Sequence, residues 1–366
     1  MIMPNYEDSI TNLACSIRKY FGLSTKHNGI KEVDDILNNK NPRNVVVILY
    51  DGLGFNIMNR HLDKDSFLVR NCIRDYSSVV PCTTTASTTS MLTGMNPCEH
   101  GWLGWDLFIK PEDKIVTMFT NKLKDTSIVA ADYNVPKKYY DYKTITEEIN
   151  EKGEYSSKIL FPFGMSSYHG LKDMHNRIFE ECSKDGKHYV YAYYEDPDST
   201  MHDYGTDHIK SNKVINKINK LTEELCSKLD EDTVVIVTAD HGHLNCEDIL
   251  LSDYEELYNT LDGDVWIEGR MCSFKVKEGM HDTFVKLFNE YFGKEFILKS
   301  KKEIIDEKLF GTGEEHKLFR DSLGDYFGLA ISDKFFKYSV YSTDLVSMHA
   351  GFTEDEMRIP LIVISK

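Results

Sequence analysis

The sequence predicts an α/β protein: a mostly parallel central sheet with helices on both faces, carrying a small α+β cap as an insertion. Three observations predict it. Five short, continuously apolar runs recur along the chain, amphipathic helical segments lie between them, and one long stretch between His243 and His349 breaks the alternation. A strand buried on both faces reads as a continuous apolar run, and such strands belong to parallel sheets covered by helices.

The first expected element is a helix over 6–21, where Ile10, Leu13, Ala14, Ile17 and Phe21 recur at helical spacing. The run NVVVILYDG follows, stopped by Asp51-Gly52. Three consecutive threonines in VVPCTTTASTTSMLTGMNPCEHG (79–101) open a short helix that ends at Thr93-Gly94. TSIVAAD (126–132), YVYAYYEDPD (189–198), TVVIVTADHG (233–242) and IPLIVI (359–364) are expected as further strands. The clearest helix between them is 207–229, with Ile215, Ile218, Leu221, Leu225 and Leu229 on one face. The interrupting stretch has its own strand, MCSFKV (271–276), and an amphipathic helix over 279–292 carrying Phe284, Leu287, Phe288 and Tyr291. It begins and ends inside the α/β pattern. It is therefore expected as a cap, residues 262–338, inserted into a catalytic domain formed by residues 1–261 and 339–366.

Composition narrows the function classes. The chain has 366 residues, 41% hydrophobic and 28% charged, with 9 Pro and 22 Gly, which fits a globular protein with a sizeable core. A formal net charge of -16 offers no basic footprint for a nucleic acid polymer, so an anionic substrate must be drawn in by local cations. The eight cysteines form no CxxC pair, the first residues show no basic start followed by an apolar run, and no apolar stretch reaches ~18 residues. Reduced thiols, a cytoplasmic location and no membrane partner are the expectation.

Three strands end in candidate metal ligands: Asp51, then Asp198 with His202, then Asp240 with His241. In open α/β sheets, ligands bind beyond the carboxyl ends of the strands, so residues far apart in sequence meet there. Each alone has an ordinary explanation, since Asp-Gly marks turns and a lone histidine is usually a surface or core residue. Together, at matching strand ends, they are a stronger signal. A mixed Asp/His set suits zinc or another borderline divalent ion. The threonines of 83–85 add a hydroxyl nucleophile at a helix N-terminus, where backbone N–H groups and the helix dipole favour a phosphate. Such a hydroxyl needs a base or a metal to ionise it.

In this order, VVVILYDGLG, PCTTTASTTSMLTGMNPCEHG, YEDPDSTMHDYG, TADHGH and SMHAGFTEDEMRIPLIVI resemble the alkaline phosphatase superfamily, and within it the type I phosphodiesterase/nucleotide pyrophosphatase branch, over residues 44–366. The resemblance implies a two-metal site, zinc first and manganese as the alternative. Asp51, Thr84, Asp240 and His241 would hold one ion, and Asp198, His202 and His349 the other. It also implies Thr84 as the nucleophile, nine residues before Thr93 of the Thr-Gly pair, with Thr83 and Thr85 as rivals should that register slip. One position departs from the family, which commonly carries Asn three residues after the nucleophile; here that residue is Ser87.

The implied reaction is hydrolysis of a phosphate ester through a covalent phospho-threonine, with a small-molecule ester, nucleotides included, as the partner. A phosphomonoesterase or a phosphonate hydrolase on the same site is the alternative. A sulfatase would show Cys/Ser-x-Pro-x-Arg, whereas Cys82-Thr83-Thr84-Thr85-Ala86 has neither Pro nor Arg. A non-enzymatic binding protein is disfavoured because all seven positions are filled. Between Pro81 and Gly101 there is no Arg or Lys, which favours diesters over monoesters. Trp102, Trp105 and Phe108 are candidates for stacking on a base or aryl group, with core packing as the rival explanation. Arg270 and Arg320 in the cap are candidate phosphate contacts. No role is assigned to His208 or His243, and Cys82 is expected to serve packing.

Overall fold

The computed structural model of the chain describes residues 1–164, 167–337 and 344–365. Its main sheet has six strands: β1 (Asn44–Tyr50), β2 (Cys72–Ser77), β3 (Ser156–Leu160), β4 (His188–Tyr194), β5 (Thr233–Thr238) and β6 (Arg358–Ser365), in the order β2-β6-β5-β1-β4-β3. β1 pairs in parallel with both β4 and β5, and β3 pairs in parallel with β4. β6 runs antiparallel to both of its neighbours, β5 and β2. The sheet is therefore mixed, with a parallel centre. Every residue of β1, β4 and β5 is buried, as their continuous apolar runs require. β6 carries the same kind of run in the opposite direction, so such a run reports burial on two faces and not strand direction.

The helices Ile10–Tyr20, Leu171–Cys182 and Ile209–Lys228 flank this sheet and share its core, through Leu13, Ile17, Met174, Ile178, Ile215 and Ile218 among others. One expected strand fails. Residues 126–132 form turns with a single isolated bridge, Lys122 to Val129, and Ile128 and Val129 are among the most exposed large apolar residues. The place beside β4 is taken instead by β3, SSKIL, whose half-exposed pattern is that of an edge strand and carries little apolar signal.

A second sheet is antiparallel and runs Phe296–Ser300, Tyr326–Ala330, Met271–Phe274, Trp266–Ile267, Asp106–Ile109, Lys114–Thr117, Lys122–Leu123. Four strands from residues 266–330 thus continue into three from residues 106–123. The helix His281–Phe292 buries Phe284, Phe288 and Phe292 against Phe274, Phe296 and Phe336. Leu287 and Tyr291, expected on that face, lie at its margin, and Phe292 completes it.

A buried ion pair joins the second sheet to the loop that follows His349. Arg270 and Glu356 are both fully buried, with Nε 2.6 Å from Oε1 and Nη2 2.8 Å from Oε2. Arg270 also donates to the carbonyls of Ser332 and Lys334, and Glu356 accepts the N–H of Gly351 at 2.7 Å. Removing one partner strands the other charge in the interior, at a cost of about 3–5 kcal/mol. Glu356→Ala should accordingly lower the urea midpoint of equilibrium unfolding with little change in m. An unchanged midpoint would mean that the carbonyl partners of Arg270 suffice to hold it.

Candidate active site

β1, β4 and β5 end level, with Tyr50 opposite Tyr194 and Leu49 opposite Thr238. Just beyond them stand Asp51, Asp198 and Asp240. The main chain ties the three together. Asp51 N–H donates to Tyr194 O at 2.9 Å, Asp198 N–H donates to Asp51 O at 3.0 Å, and Asp240 Oδ1 accepts the N–H groups of Gly52 and His241 at 3.1 and 3.0 Å. The backbones also touch without side chains between them. A Cβ on Gly54 would sit 2.5 Å from Gly242 Cα, and one on Gly242 would sit 1.9 Å from Asp355 O. This close approach is the physical reason for glycine between His241 and His243.

Four histidines close on the carboxylates. His241 Nε2 lies 3.2 Å from Asp51 Oδ1 and 3.5 Å from Asp240 Oδ2, and its ring stacks on His349 with centroids 3.8 Å apart. Around Asp198 Oδ1 stand His202 Nε2 at 3.4 Å, His349 Nε2 at 3.8 Å and His243 Nε2 at 2.5 Å. In His202, His241 and His349 the Nδ1 atom faces a backbone carbonyl, of Ser347, Gly242 and Cys82 respectively. A carbonyl only accepts, so Nδ1 carries the proton and the Nε2 lone pair is left for a ligand.

Two groups have ligand atoms all within 4.8 Å of one another: Asp51 with Asp240 and His241, and Asp198 with His241, His243 and His349. Five of the seven expected side chains, Asp51, Asp198, Asp240, His241 and His349, fall in these groups, with His202 beside the second and His243 inside it. His243, given no role from sequence, had a legible signal. It follows His241 by two positions, in the same short run past the end of β5 that supplies Asp240 and His241.

The charges are unbalanced within the protein. Burial, reinforced by the charge of Asp198, pushes the Asp51 carboxyl well up, and burial next to Asp51 does the same to Asp240. Burial would also raise Asp198, but His202, His243 and His349 around it hold it well below the usual range. Burial lowers His243 to about 4 and, with His241 alongside, lowers His349 strongly. Asp240 Oδ2 is buried with no hydrogen-bond partner among the described residues. Clustered carboxylates, imidazoles whose Nε2 atoms face them and an orphaned oxygen fit a divalent cation in each group.

Of the three consecutive threonines, only Thr84 faces this cluster. Its Oγ1 is 3.4 and 3.3 Å from the Asp51 carboxylate oxygens and 3.3 Å from His241 Nε2. Thr83 Oγ1 donates to Glu268 at 2.7 Å, and Thr85 Oγ1 is buried without a partner among the described residues. Ser87 is fully buried, with Oγ 3.0 Å from Ser78 Oγ, so it has no access to a phosphoryl group. Tyr193, which the sequence did not single out, donates its hydroxyl to Asp51 Oδ2.

A cavity of about 600 Å³ opens from Asp51, Thr84 and Asp198. Trp102, Trp105, Phe119, Tyr142, Phe161 and Phe163 line it, and its described lining residues include no Lys or Arg. Phe108 packs on Trp266 instead, with centroids 5.6 Å apart. Neither Arg270 nor Arg320 is among the described residues that line the cavity. Arg270 is committed to Glu356, and Arg320 is paired with Glu315 at 2.6 Å. Each expected phosphate contact is already neutralised by a carboxylate.

Level carboxylates at parallel strand ends, a threonine opening a helix beside them and paired Asp/His groups define a metallohydrolase site of the alkaline phosphatase superfamily. The family model for type I phosphodiesterase/nucleotide pyrophosphatase matches residues 45–311. The chain belongs to that family and is a metal-dependent hydrolase of phosphate esters. Among solved structures it is similar to an inactive form of murine ectonucleotide pyrophosphatase/phosphodiesterase 5 in complex with AMP, at 18% identity over 87% of each chain with a TM-score of 0.66. The human ectonucleotide pyrophosphatase/phosphodiesterase 5 gives 16% identity, 87% of each chain and 0.66. Phosphonoacetate hydrolase from Sinorhizobium meliloti 1021, in complex with phosphonoformate, gives 15% identity over 88% of this chain and 90% of that one, with 0.63. These likenesses show the shared α/β fold. No curated protein sequence matches the chain. Among the described residues, no helix is long and apolar enough to cross a membrane.

Gly242→Ala should push Asp355 and the His241–His243 segment apart, costing about 1–3 kcal/mol as overpacking does. Elemental analysis of the purified variant should find less bound metal than in the wild type. Full metal content with an unchanged melting temperature would contradict this account of the loop.

Proposed function

We propose that the protein is a phosphodiesterase of the nucleotide pyrophosphatase type that works through a covalent phospho-threonine on Thr84. Asp51, Thr84, Asp240 and His241 would hold one divalent ion, and Asp198, His202 and His349 the other, with zinc preferred to manganese on the mixed imidazole and carboxylate donors. The observation that carries the proposal is Thr84 Oγ1 beside Asp51 and His241, at the inner end of an aromatic cavity that has no Lys or Arg among its described lining residues.

When bound, the two ions supply Lewis-acid stabilisation of the charge on the attacking and leaving oxygens. Asp51 and His241 orient the Thr84 hydroxyl. Thr84 gives up its hydroxyl proton as Oγ1 bonds to phosphorus, the P–O bond to the leaving arm breaks and the leaving oxygen departs as an anion or takes up a proton. Water then attacks the phosphorus, loses a proton and returns Thr84 as the free hydroxyl with release of the phosphate product. The first turn of the Thr84–Thr93 helix presents backbone N–H groups and a positive dipole end toward the phosphoryl oxygens. The aromatic walls suit one arm of a diester, and the AMP complex of the murine relative supports a nucleotide as that arm. The similarity to phosphonoacetate hydrolase keeps phosphonate hydrolysis as the second reading. The same proposal divides the chain into a catalytic part, residues 1–261 with 339–366, and a cap, residues 262–338. It assigns the chain to the cytoplasm, where eight free thiols stay reduced.

Thr84→Ala should lower kcat on the order of 10³-fold or more while leaving the melting temperature nearly unchanged, and Thr84→Ser should keep measurable turnover. Full activity in Thr84→Ala would overturn the nucleophile. The kcat/KM for an aryl methyl phosphodiester should exceed that for the matching aryl phosphate. A ratio clearly below one would make the protein a phosphomonoesterase.

A further inference from the structure

Glu268 sits in the turn between the strands Trp266–Ile267 and Met271–Phe274 of the second sheet and is only 8% exposed. A buried carboxyl needs a reason. Its Oε1 accepts two hydrogen bonds, from Thr83 Oγ1 at 2.7 Å and from Trp105 N–H at 2.8 Å. Thr83 precedes Thr84, and Trp105 forms part of the cavity wall. One oxygen of the cap thus holds both the start of the Thr84–Thr93 helix and the aromatic face of the cavity.

Two further features mark this turn as constrained. Ile267, just before Glu268, has φ +85, a backbone region that is costly for a β-branched residue and persists only where the surroundings enforce it. The enforcement is visible at Gly104, where a Cβ would sit 2.7 Å from Ile267 O. Thr83 is also the N-cap residue of its helix, a position where threonine ordinarily accepts from the first-turn N–H groups, yet it makes no side-chain cap bond. Its hydroxyl is turned to Glu268 instead. The first-turn N–H groups are thereby left to a phosphoryl group.

We propose that Glu268 is a positioning residue for the hydrolysis: by accepting from Thr83 and Trp105 on one oxygen, it fixes Thr84 against the cavity wall and keeps the helix cap open to the substrate phosphate. The proposal rests on Thr84 as the nucleophile. Displacing a reacting group by about 1 Å costs on the order of 10²-fold in rate, so a strut of this kind has a large lever.

The test uses the intact, metal-loaded protein and an aryl methyl phosphodiester. Glu268→Gln keeps an acceptor oxygen and should retain kcat within about threefold, whereas Glu268→Ala should lose on the order of 10²-fold in kcat. KM for this small substrate and metal content should stay near wild type in both. Thr83→Val should reproduce the loss and Thr83→Ser should restore activity, and the Glu268→Ala/Thr83→Val double variant should fall no further than either single one. Should Glu268→Ala fail to fold, the Thr83 pair decides alone. Wild-type kcat in Thr83→Val, or equal losses in Glu268→Gln and Glu268→Ala, would overturn the proposal. Activity surviving in Thr84→Ala would instead overturn the nucleophile beneath it, so the two failures are distinguishable.

Discussion

Three aspartate carboxylates, Asp51 and Asp240 buried and Asp198 partly so, stand together where β1, β4 and β5 end, and a negative charge withdrawn from water must find a cation or a proton. The surroundings offer neither lysine nor arginine: Arg270 is committed to Glu356, and the cavity lining that is described has no basic residue. What they offer is imidazole. His202, His241 and His349 each commit Nδ1 to a carbonyl and turn Nε2 inward, which is the arrangement of ligands and not of counter-charges. Divalent ions resolve the conflict, and they also account for anionic substrate binding by a chain whose net charge is -16.

The second sheet matters because it reaches the site twice. Through Arg270 and Glu356 it braces Gly351, two residues beyond His349; through Glu268 it holds Thr83 and Trp105. Both contacts are made by the same short stretch, 268–270, and both touch loops that the main sheet alone leaves unsupported. The parallel strands set where the carboxylates stand, and the second sheet braces Thr83, next to Thr84, and Gly351, near His349.

Much of this was legible in the sequence, for identifiable reasons. β1, β4 and β5 are buried on both faces, so their composition reports them directly, and the Asp and His residues that follow them mark the sheet edge. His349 lies on no such strand and became legible only through the family resemblance. His243, two residues past His241, joins the cluster through its contact with Asp198. Residues 126–132 look like a strand because apolar runs ordinarily accompany burial, yet Ile128 and Val129 are 59% and 58% exposed. Arg270 was misassigned because its partner lies 86 residues away, a pairing that local pattern does not encode. Tyr193 and Glu268 act only through tertiary contacts, to Asp51 and to Thr83.

The central claim is that the buried carboxylate and imidazole cluster is balanced by two divalent ions. Anomalous diffraction at the zinc edge, from crystals of active protein grown with zinc, tests it most directly. The account predicts two peaks per chain, one bounded by Asp51, Asp240 and His241 and one bounded by Asp198 and His349. Active crystals with no peak at these side chains, or with a single peak bound elsewhere on the surface, would contradict it.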